Sequence, residues 1–234
     1  MSPPTDSGDP RRRATNQSEP PHDTEDLVAP PTETTAAVDG CRAAHARLVE
    51  ALADIDDAIV AQPSRLPGWT VGHVLTHLAR NADSHVRLLE GAAAGEVADQ
   101  YEGGLDGRSA DIEAGAKRPA AEQVADLVAS IERLEDAWAR ATDAVWAHGF
   151  GRTARGELQP CADLPFRRWR EVEVHHADLG LGFGPPDWPA SYVDTELPRT
   201  LAGLPARLSL DDRRALLAWL IGRSEGGPPD LPPW

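Results

Sequence analysis

The chain has 234 residues, of which 41% are hydrophobic and 26% charged, and these are ordinary values for a soluble globular protein with a substantial core. Its formal net charge of -15 argues against non-specific binding to nucleic acid or to an anionic membrane surface, because both of these partners attract basic patches. The expected partner is therefore a small molecule, with no nucleic acid and no membrane.

Several features of the sequence favour a cytoplasmic protein. The N-terminus lacks the apolar stretch of a signal peptide, and the longest apolar run near the C-terminus, residues 215–221, is far too short to span a bilayer. The two cysteines, Cys41 and Cys161, form no CxxC pattern, so a disulfide framework is not expected. Lys117 is the only lysine, and together with the abundant Ala, Gly and Pro this indicates a GC-rich genome, as in actinobacteria.

The first half of the chain predicts a tail followed by two helices. Residues 1–34 are rich in Pro, Ser, Thr and Asp, with few apolar side chains, and predict a disordered tail. From Thr35 to Gln62, apolar residues recur every three or four positions and predict one long amphipathic helix. Thr70 is suited to cap a second helix, which runs from Val71 to about Ala93. The polar, glycine-rich residues 95–107 predict a lid or rim loop.

The second half predicts two more long helices and a shorter last one. A third helix is expected from Ala120 to about Val145 and a fourth from Leu164 to Leu179, with a hairpin or irregular segment at residues 147–158 between them. Four long helices bounded by Pro and Gly predict a mainly α fold, an antiparallel four-helix bundle over residues 35–184. A short helix from Ser209 to Gly222 follows the bundle.

The stretch from Arg167 to Gly180 contains the residue pair with the clearest chemistry. On a helix, Glu171 and His175 lie four residues apart and therefore project from the same face. A carboxylate and an imidazole are good zinc ligands, and a catalytic zinc site typically has three protein ligands and one open position. The third ligand is expected on a facing helix, where the second helix offers both His73 and His77. The residue types alone do not choose between these two histidines.

The same residues also have plainer interpretations. In a chain with eight histidines, a histidine four residues from a glutamate can arise by chance. The three arginines within residues 167–170 could bind an anionic substrate, but a solvated basic face is the commoner arrangement. Trp69 and Trp169 are interpreted as packing residues, and Cys161 is interpreted as structural because nothing around it in the sequence indicates a thiolate.

Two segments of the chain resemble those of a known protein family. Residues 66–83, LPGWTVGHVLTHLARNAD, and residues 170–180, REVEVHHADLG, closely resemble the signature segments of the mycothiol-dependent maleylpyruvate isomerase family. Residues 111–116, DIEAGA, also resemble that family's segment before its third helix. The members are DinB-like metal-dependent four-helix bundles, and the resemblance covers about Thr35 to Pro189. It therefore implies the same fold for this chain.

The resemblance also implies a site and a reaction. The family's metal ligands correspond to His77, Glu171 and His175, which leaves His73 outside the ligand set. The implied cofactors are a divalent metal, with zinc expected, and mycothiol or a similar low-molecular-weight thiol. Addition of the thiol to the cis double bond of maleylpyruvate, rotation and expulsion would give isomerisation, and addition to another small electrophile would give S-transfer. Asp178 is suited either to orient a ligand imidazole, as carboxylates beside metal sites commonly do, or to hold the helix end.

The C-terminal segment departs from the family pattern. Residues 221–223, IGR, are similar to a family segment whose arginine is implicated in catalysis, which implies a carboxylate-binding or charge-stabilising role for Arg223. The stretch between Pro189 and Ser209 is too short for the strands of the family's C-terminal domain, so we expect residues 185–234 to be a truncated remnant. The expected function is a mycothiol-dependent isomerase or thiol S-transferase. The alternative is a non-catalytic metal-binding or stress-response module that has lost the family reaction.

Overall fold

The computed structural model describes residues 32–224, 226–228 and 230–231 and is mainly helical. In chain order the helices of the described residues are α1 Thr32–Ala51, α2 Asp57–Val60, α3 Val71–Ala93, α4 Gly104–Gly115, α5 Ala120–Arg140, α6 Asp143–His148, α7 Leu164–Asp178, α8 Ala190–Gly203 and α9 Leu210–Leu220. An antiparallel hairpin of β1 Phe150–Arg152 and β2 Leu158–Pro160 lies between α6 and α7, where the sequence predicts a hairpin or irregular segment.

Helices α1, α3, α5 and α7 form the predicted four-helix bundle. Helix α3 packs against α5 and α7, and α1 packs against the same two helices, so the four contacts close a ring around one core. Each helix contributes a side chain that is 0% exposed, namely Leu48, Leu75, Leu127 and Val172. The apolar residues at three- and four-residue spacing therefore face inward, which is the reason that the sequence predicts this fold class correctly.

Capping residues divide two of the predicted helices. The helix expected over Thr35–Gln62 stops at the end of α1, and Asp56 caps the separate helix α2 by accepting a hydrogen bond from the Ile59 amide at 2.9 Å. The third predicted helix also stops early, because Thr142 caps α6 by accepting from the amide of Val145. Asp and Thr favour caps over helix interiors, since their side chains bond to nearby backbone groups.

Two further boundaries, the start of α1 and the start of α4, also differ from the predictions. Of the predicted disordered tail, residues 1–31 lie outside the described residues, and residues 32–34 belong to α1. The last four residues of the predicted lid loop, 104–107, are helical because α4 begins at Gly104. Helix α4 lies so close to α3 that a Cβ atom on Gly115 would be 2.3 Å from Cγ2 of Thr76.

Both cysteines are buried and free. Cys41 and Cys161 are each 0% exposed. Burial raises the pKa of the Cys161 thiol to about 11 and raises that of Cys41 further. Both side chains are therefore protonated thiols at neutral pH, in agreement with the structural interpretation of Cys161.

The part of the chain after the bundle is helical where the structure describes it. In α8, Tyr192 is buried, and its ring lies near those of Trp169 and Trp188. Ser209 caps α9, in which no residue is buried, so this helix leaves Leu217 and Trp219 exposed. Among the described residues, every helix is too short or too polar to cross a membrane.

Candidate metal centre

The first turn of α3 determines the role of His73. The Thr70 hydroxyl accepts a hydrogen bond from the His73 amide at 3.4 Å, and the Thr70 amide donates to Nδ1 of His73 at 3.2 Å. This reciprocal pair is a capping box in which a histidine stands where Glu or Gln is usual. The other ring nitrogen, Nε2, lies 3.5 Å from Oε1 of Glu113. His73 therefore stabilises the helix end, and within the described chain it forms no hydrogen bond or ion pair with Glu171 or His175.

One turn further along α3, His77 meets the pair on α7. The His77 side chain is buried, and its Nε2 lies 2.9 Å from Oε2 of Glu171. The same carboxylate oxygen lies 3.4 Å from Nε2 of His175, and the rings of the two histidines meet edge to face with centroids 4.6 Å apart. The structure thus brings together His77, Glu171 and His175, and His73 is not part of this group.

The donor set and its spacing fit a divalent cation. One ligand atom from each of His77, Glu171 and His175 can be chosen so that all three lie within 4.8 Å of one another. Two ligands about 2.1 Å from one tetrahedral zinc ion lie roughly 3.4 Å apart, and the two histidine nitrogens lie 2.9 and 3.4 Å from Oε2 of Glu171, which is close to that value. Two imidazoles and one carboxylate are also the ligand types that zinc and similar ions accept, and three ligands leave one coordination position open.

The outer nitrogens of the two histidines have opposite kinds of partner. Nδ1 of His175 donates to Oδ2 of Asp178 at 2.9 Å, the arrangement that commonly orients a metal-binding imidazole. Nδ1 of His77 instead accepts a hydrogen bond from Nη2 of Arg108 at 3.0 Å. One ligand ring is therefore oriented by a carboxylate and the other by a guanidinium.

The protonation states of the three residues follow from burial and hydrogen bonding. Burial opposes the charge of Glu171, but hydrogen bonds with His175 and His77 outweigh it and hold the pKa of this carboxyl well below its usual range. Burial lowers the pKa of His77, and the hydrogen bond with Glu171 offsets this only in part. For His175 burial has the same sign, but hydrogen bonds to Asp178 and Glu171 prevail and raise its pKa to about 9. At neutral pH Glu171 is therefore a carboxylate and His77 a neutral imidazole, which are the forms that can bind a cation, whereas His175 is protonated.

Aromatic side chains border the cluster. The half-buried ring of Trp69 lies 5.7 Å from that of His77 between centroids. The guanidinium carbon of Arg108 lies 5.8 Å from the centre of the Tyr101 ring. The packing interpretation holds for both tryptophans, because Trp169 is buried in the core and the half-buried Trp69 packs against the core at the border of the candidate site.

The interpretation of the basic cluster as a solvated face is wrong for Arg168. This side chain is fully buried, and its Nη1 donates to the Leu78 carbonyl and to Oδ1 of Asn81, each at 2.8 Å. Its Nε donates to Nε2 of His45 at 3.1 Å. Arg168 lies one turn before the buried Val172 on the inner face of α7, so helix geometry directs it into the core.

The structure does not bring Arg223 to the three candidate ligands. Arg223 is exposed beyond the end of α9, and its Nη1 donates to the carbonyls of Ile221 and Gly222 at 3.5 and 3.2 Å. Within residues 32–224 its side chain makes no hydrogen bond to the cluster. Its role in catalysis stays a prediction.

Arg108 is the residue of this site that the sequence analysis missed. It follows the glycine-rich segment directly and belongs to α4, a helix that hydrophobic spacing alone did not indicate. A usable signal was Ile112, which lies four residues later and is 2% exposed. Residues four apart share a helix face, so a helix that buries Ile112 against its neighbour directs Arg108 the same way.

Comparisons with known proteins agree with the fold. The family model described as "Mycothiol maleylpyruvate isomerase N-terminal domain" matches residues 41–180. A crystal structure of a mycothiol-dependent maleylpyruvate isomerase is similar, with 26% sequence identity, a TM-score of 0.65, and coverage of 82% of this chain and 74% of that chain. A histidine-to-alanine mutant of a mycothiol-dependent maleylpyruvate isomerase gives the same identity and TM-score, with coverage of 69% and 67%. No curated protein sequence matches the chain.

Proposed function

Because the chain belongs to the mycothiol maleylpyruvate isomerase N-terminal domain family, we propose that it is a divalent-metal-dependent enzyme that uses mycothiol or a similar low-molecular-weight thiol. The observation that supports the proposal most strongly is the convergence of His77, Glu171 and His175 from two helices of the bundle. Zinc is the proposed metal, since two imidazoles and a carboxylate with an open fourth position are typical of catalytic zinc sites.

The residues in and around the cluster have three proposed roles: binding the cation, orienting a ligand imidazole and excluding water. A cation bound there lowers the pKa of a coordinating thiol and so provides a nucleophile at neutral pH. His77, Glu171 and His175 supply the ligand atoms, and Asp178 keeps the lone pair of His175 Nε2 directed at the cluster by accepting the Nδ1 proton. The half-buried ring of Trp69 covers the side of His77 and reduces its contact with water.

The proposed reaction is isomerisation or S-transfer on a small electrophile. Addition of the thiolate to one carbon of a cis double bond that is conjugated to a carbonyl moves the π-electron pair onto the carbonyl oxygen as an enolate and leaves a single bond, which rotates. Expulsion of the same thiolate then restores the double bond in the trans form, so the thiol is regenerated. With an electrophile that retains the sulfur, the same addition gives S-transfer. Arg223 is proposed as a carboxylate-binding or charge-stabilising residue, and residues 185–234 as a C-terminal segment that contributes none of the metal ligands.

Elemental analysis of purified variants tests the metal site. His77→Ala and Glu171→Ala should each lose the bound metal, because each removes one of three ligands. His73→Ala should keep it, because His73 is engaged in the helix cap. Retention of metal by both His77→Ala and Glu171→Ala would contradict the proposed site.

Turnover by the zinc-loaded protein tests the reaction. The protein should isomerise maleylpyruvate, or consume another electrophile such as a chromogenic thiol acceptor, only when mycothiol is present. Arg223→Ala should lower kcat/KM without changing the metal content. Stoichiometric zinc without turnover of any acceptor would instead favour the non-catalytic metal-binding module.

A further inference from the structure

Helix α9 is the one long apolar element that the described chain leaves without burial. None of its 11 residues is buried. An isolated helix of this length is marginal in water, because most of the stability of a helix in a protein comes from packing of its apolar face. The large apolar side chains in this helix and directly after it recur at helical spacing and are 53–58% exposed, namely Leu210, Leu217, Leu220 and Ile221. They form one apolar face, the α9 face, which needs a surface on which to pack.

A second exposed apolar surface lies between α7 and α8. It is a groove of about 350 Å³, the α8 groove, whose apolar lining comes from Val174, Trp188, Tyr192, Val193 and Leu197. Leu201 lies one turn beyond Leu197 and extends this lining along α8. Leu197 and Leu201 are 53% and 46% exposed, so α9 of the same copy does not cover them. One copy of the chain therefore leaves both the α9 face and the α8 groove open to solvent.

The charge around α9 indicates which partner covers it. Residues 207–223 contain four arginines and two aspartates, a net charge of +2, although the whole chain carries -15. A basic segment of this kind is attracted to an acidic surface. The α8 groove lies on such a surface, since α8 carries Asp194 and Glu196 against one arginine, Arg199. An anionic membrane is also acidic, but it would repel the remaining -17 of the chain. A second copy of this chain thus offers both an apolar groove and the opposite charge.

We propose that the chain forms a two-fold dimer in which α9 of each copy packs into the α8 groove of the other. The exchange is symmetric, so each contact occurs twice and the assembly closes at two copies. Leu217, near the middle of the α9 face, packs against Leu197 in the groove, while Arg213 lies near the acidic residues of α8. The dimer does not depend on the proposed metal-dependent function, because it uses none of the candidate metal ligands.

Sedimentation velocity over a range of protein concentrations tests the dimer. Leu217→Glu on α9 and Leu197→Glu in the groove should each weaken dimerisation at least about tenfold, because each places a carboxylate in an apolar contact. Leu158→Glu, at a leucine of β2 that is 60% exposed, is the matched control and should dimerise like the unmodified chain. All three leucines are exposed in one copy, so the replacements spare the core of the bundle. A monomeric unmodified chain, or equal dimerisation by all three variants, overturns the proposal.

A mixture of the two weakened variants tests the exchange itself. Leu217→Glu keeps an intact α8 groove and Leu197→Glu keeps an intact α9 face, so a mixed dimer has one complete contact and each pure dimer has none. The mixture should therefore dimerise more tightly than either variant alone. If the mixture is no tighter than the pure variants, α9 does not pack into the groove of the other copy.

Charge reversal and vesicle binding test the choice of partner. Arg213→Glu should weaken dimerisation more at low salt than at high salt, whereas Arg155→Glu, at an exposed loop position, changes the net charge equally and should have a smaller effect. Equal weakening by both variants would reduce the charge argument to general repulsion and overturn it. Vesicles of phosphatidylserine should not bind the chain. Vesicle binding by a monomer that is lost in Leu217→Glu would assign α9 to a membrane and overturn the dimer.

Discussion

His73 and His77 are one helical turn apart, yet only one of them can reach α7. The difference arises where α3 begins, because Thr70 recruits His73 into the capping box. His77 then lies on the inner face, 2.9 Å from Glu171. Two identical side chains thus have different roles because one is used to satisfy the backbone at the helix end.

Replacing His73 should affect the helix and spare the cluster. His73→Ala removes the acceptor for the Thr70 amide, and we expect a loss of about 0.5–1 kcal/mol in the free energy of unfolding with unchanged zinc stoichiometry. Urea denaturation and elemental analysis measure the two quantities. His73→Gln is the matched control, because Gln at this position can complete a capping box and should recover most of the stability. Loss of zinc in His73→Ala would show that this histidine is a ligand.

Replacing Asp178 should affect the cluster and spare the helix. Asp178→Ala leaves Nδ1 of His175 without its acceptor, and we expect zinc to bind about 10–100-fold more weakly. The loss should be smaller in Asp178→Asn, whose side-chain oxygen can still accept this hydrogen bond. Competition with a chelator measures both affinities, and equal zinc binding by Asp178→Ala and the unmodified chain would contradict the orienting role.

At the scale of single elements, the close packing of α1 on α7 explains why position 40 is a glycine. A Cβ atom on Gly40 of α1 would lie 2.5 Å from the ring of Trp169 on α7. Gly40→Ala should therefore lower the free energy of unfolding by about 1–3 kcal/mol, since one of the two helices must shift. In the matched control, Gly203→Ala, the new Cβ meets nothing within 4 Å, and the φ angle of -80° suits alanine. Thermal unfolding should separate the two variants, and equal melting temperatures would argue against tight packing of α1 on α7.

A helix could be predicted accurately where its caps and its apolar face are both visible in a short stretch of sequence. The bounds of α3 are those predicted, since a cap and an apolar face are both written in the sequence. The burial of Arg168 could also have been predicted, because this residue lies one turn before Val172. It was missed because arginine side chains are usually exposed. The breaks at Asp56 and Thr142 were missed because an amphipathic pattern continues across them, and only the caps reveal them.

At the scale of the whole molecule, the ring of helices brings residues that are distant in the sequence into contact. His77 and Glu171 are 94 residues apart in the chain and are joined by a hydrogen bond. The sequence supplied the pair on α7 through helical spacing, but the third partner depends on the rotation of α3 against α7. The position of Arg108 depends in addition on how α4 packs on α3. Neither packing has a local signal, so these contacts required the structure.

The buried histidines of the bundle make stability depend on pH. Burial lowers the pKa of His45 to about 4 and that of His85 to about 3, compared with 6.5 for an ordinary histidine. At these two sites the unfolded chain therefore binds more protons below pH 6.5, so their contribution to stability should be full above that pH and be lost as the pH drops toward 4. The expected loss is about 1–3 kcal/mol for each group.

Denaturant unfolding at a series of pH values between 7.5 and 4.5 measures this dependence. His85→Leu should flatten the slope, because it removes one such group, and its cost should be small since Nδ1 of His85 has no hydrogen-bond partner in the fold. His148→Leu, at an exposed position, is the matched control for removal of a histidine. An unchanged slope in His85→Leu would mean that this residue does not contribute to acid unfolding.

The hydrogen bonds of Arg168 have a consequence for how such a protein diversifies. This arginine links α7 to Leu78 and Asn81 on α3, immediately beside His77, and to His45 on α1. The spacing of the candidate ligands is therefore maintained from inside the bundle and does not depend on the residues at its border. Substitutions at Trp69 or Tyr101 should therefore reshape the border of the candidate site, as diversification requires, while His77, Glu171 and His175 keep their spacing.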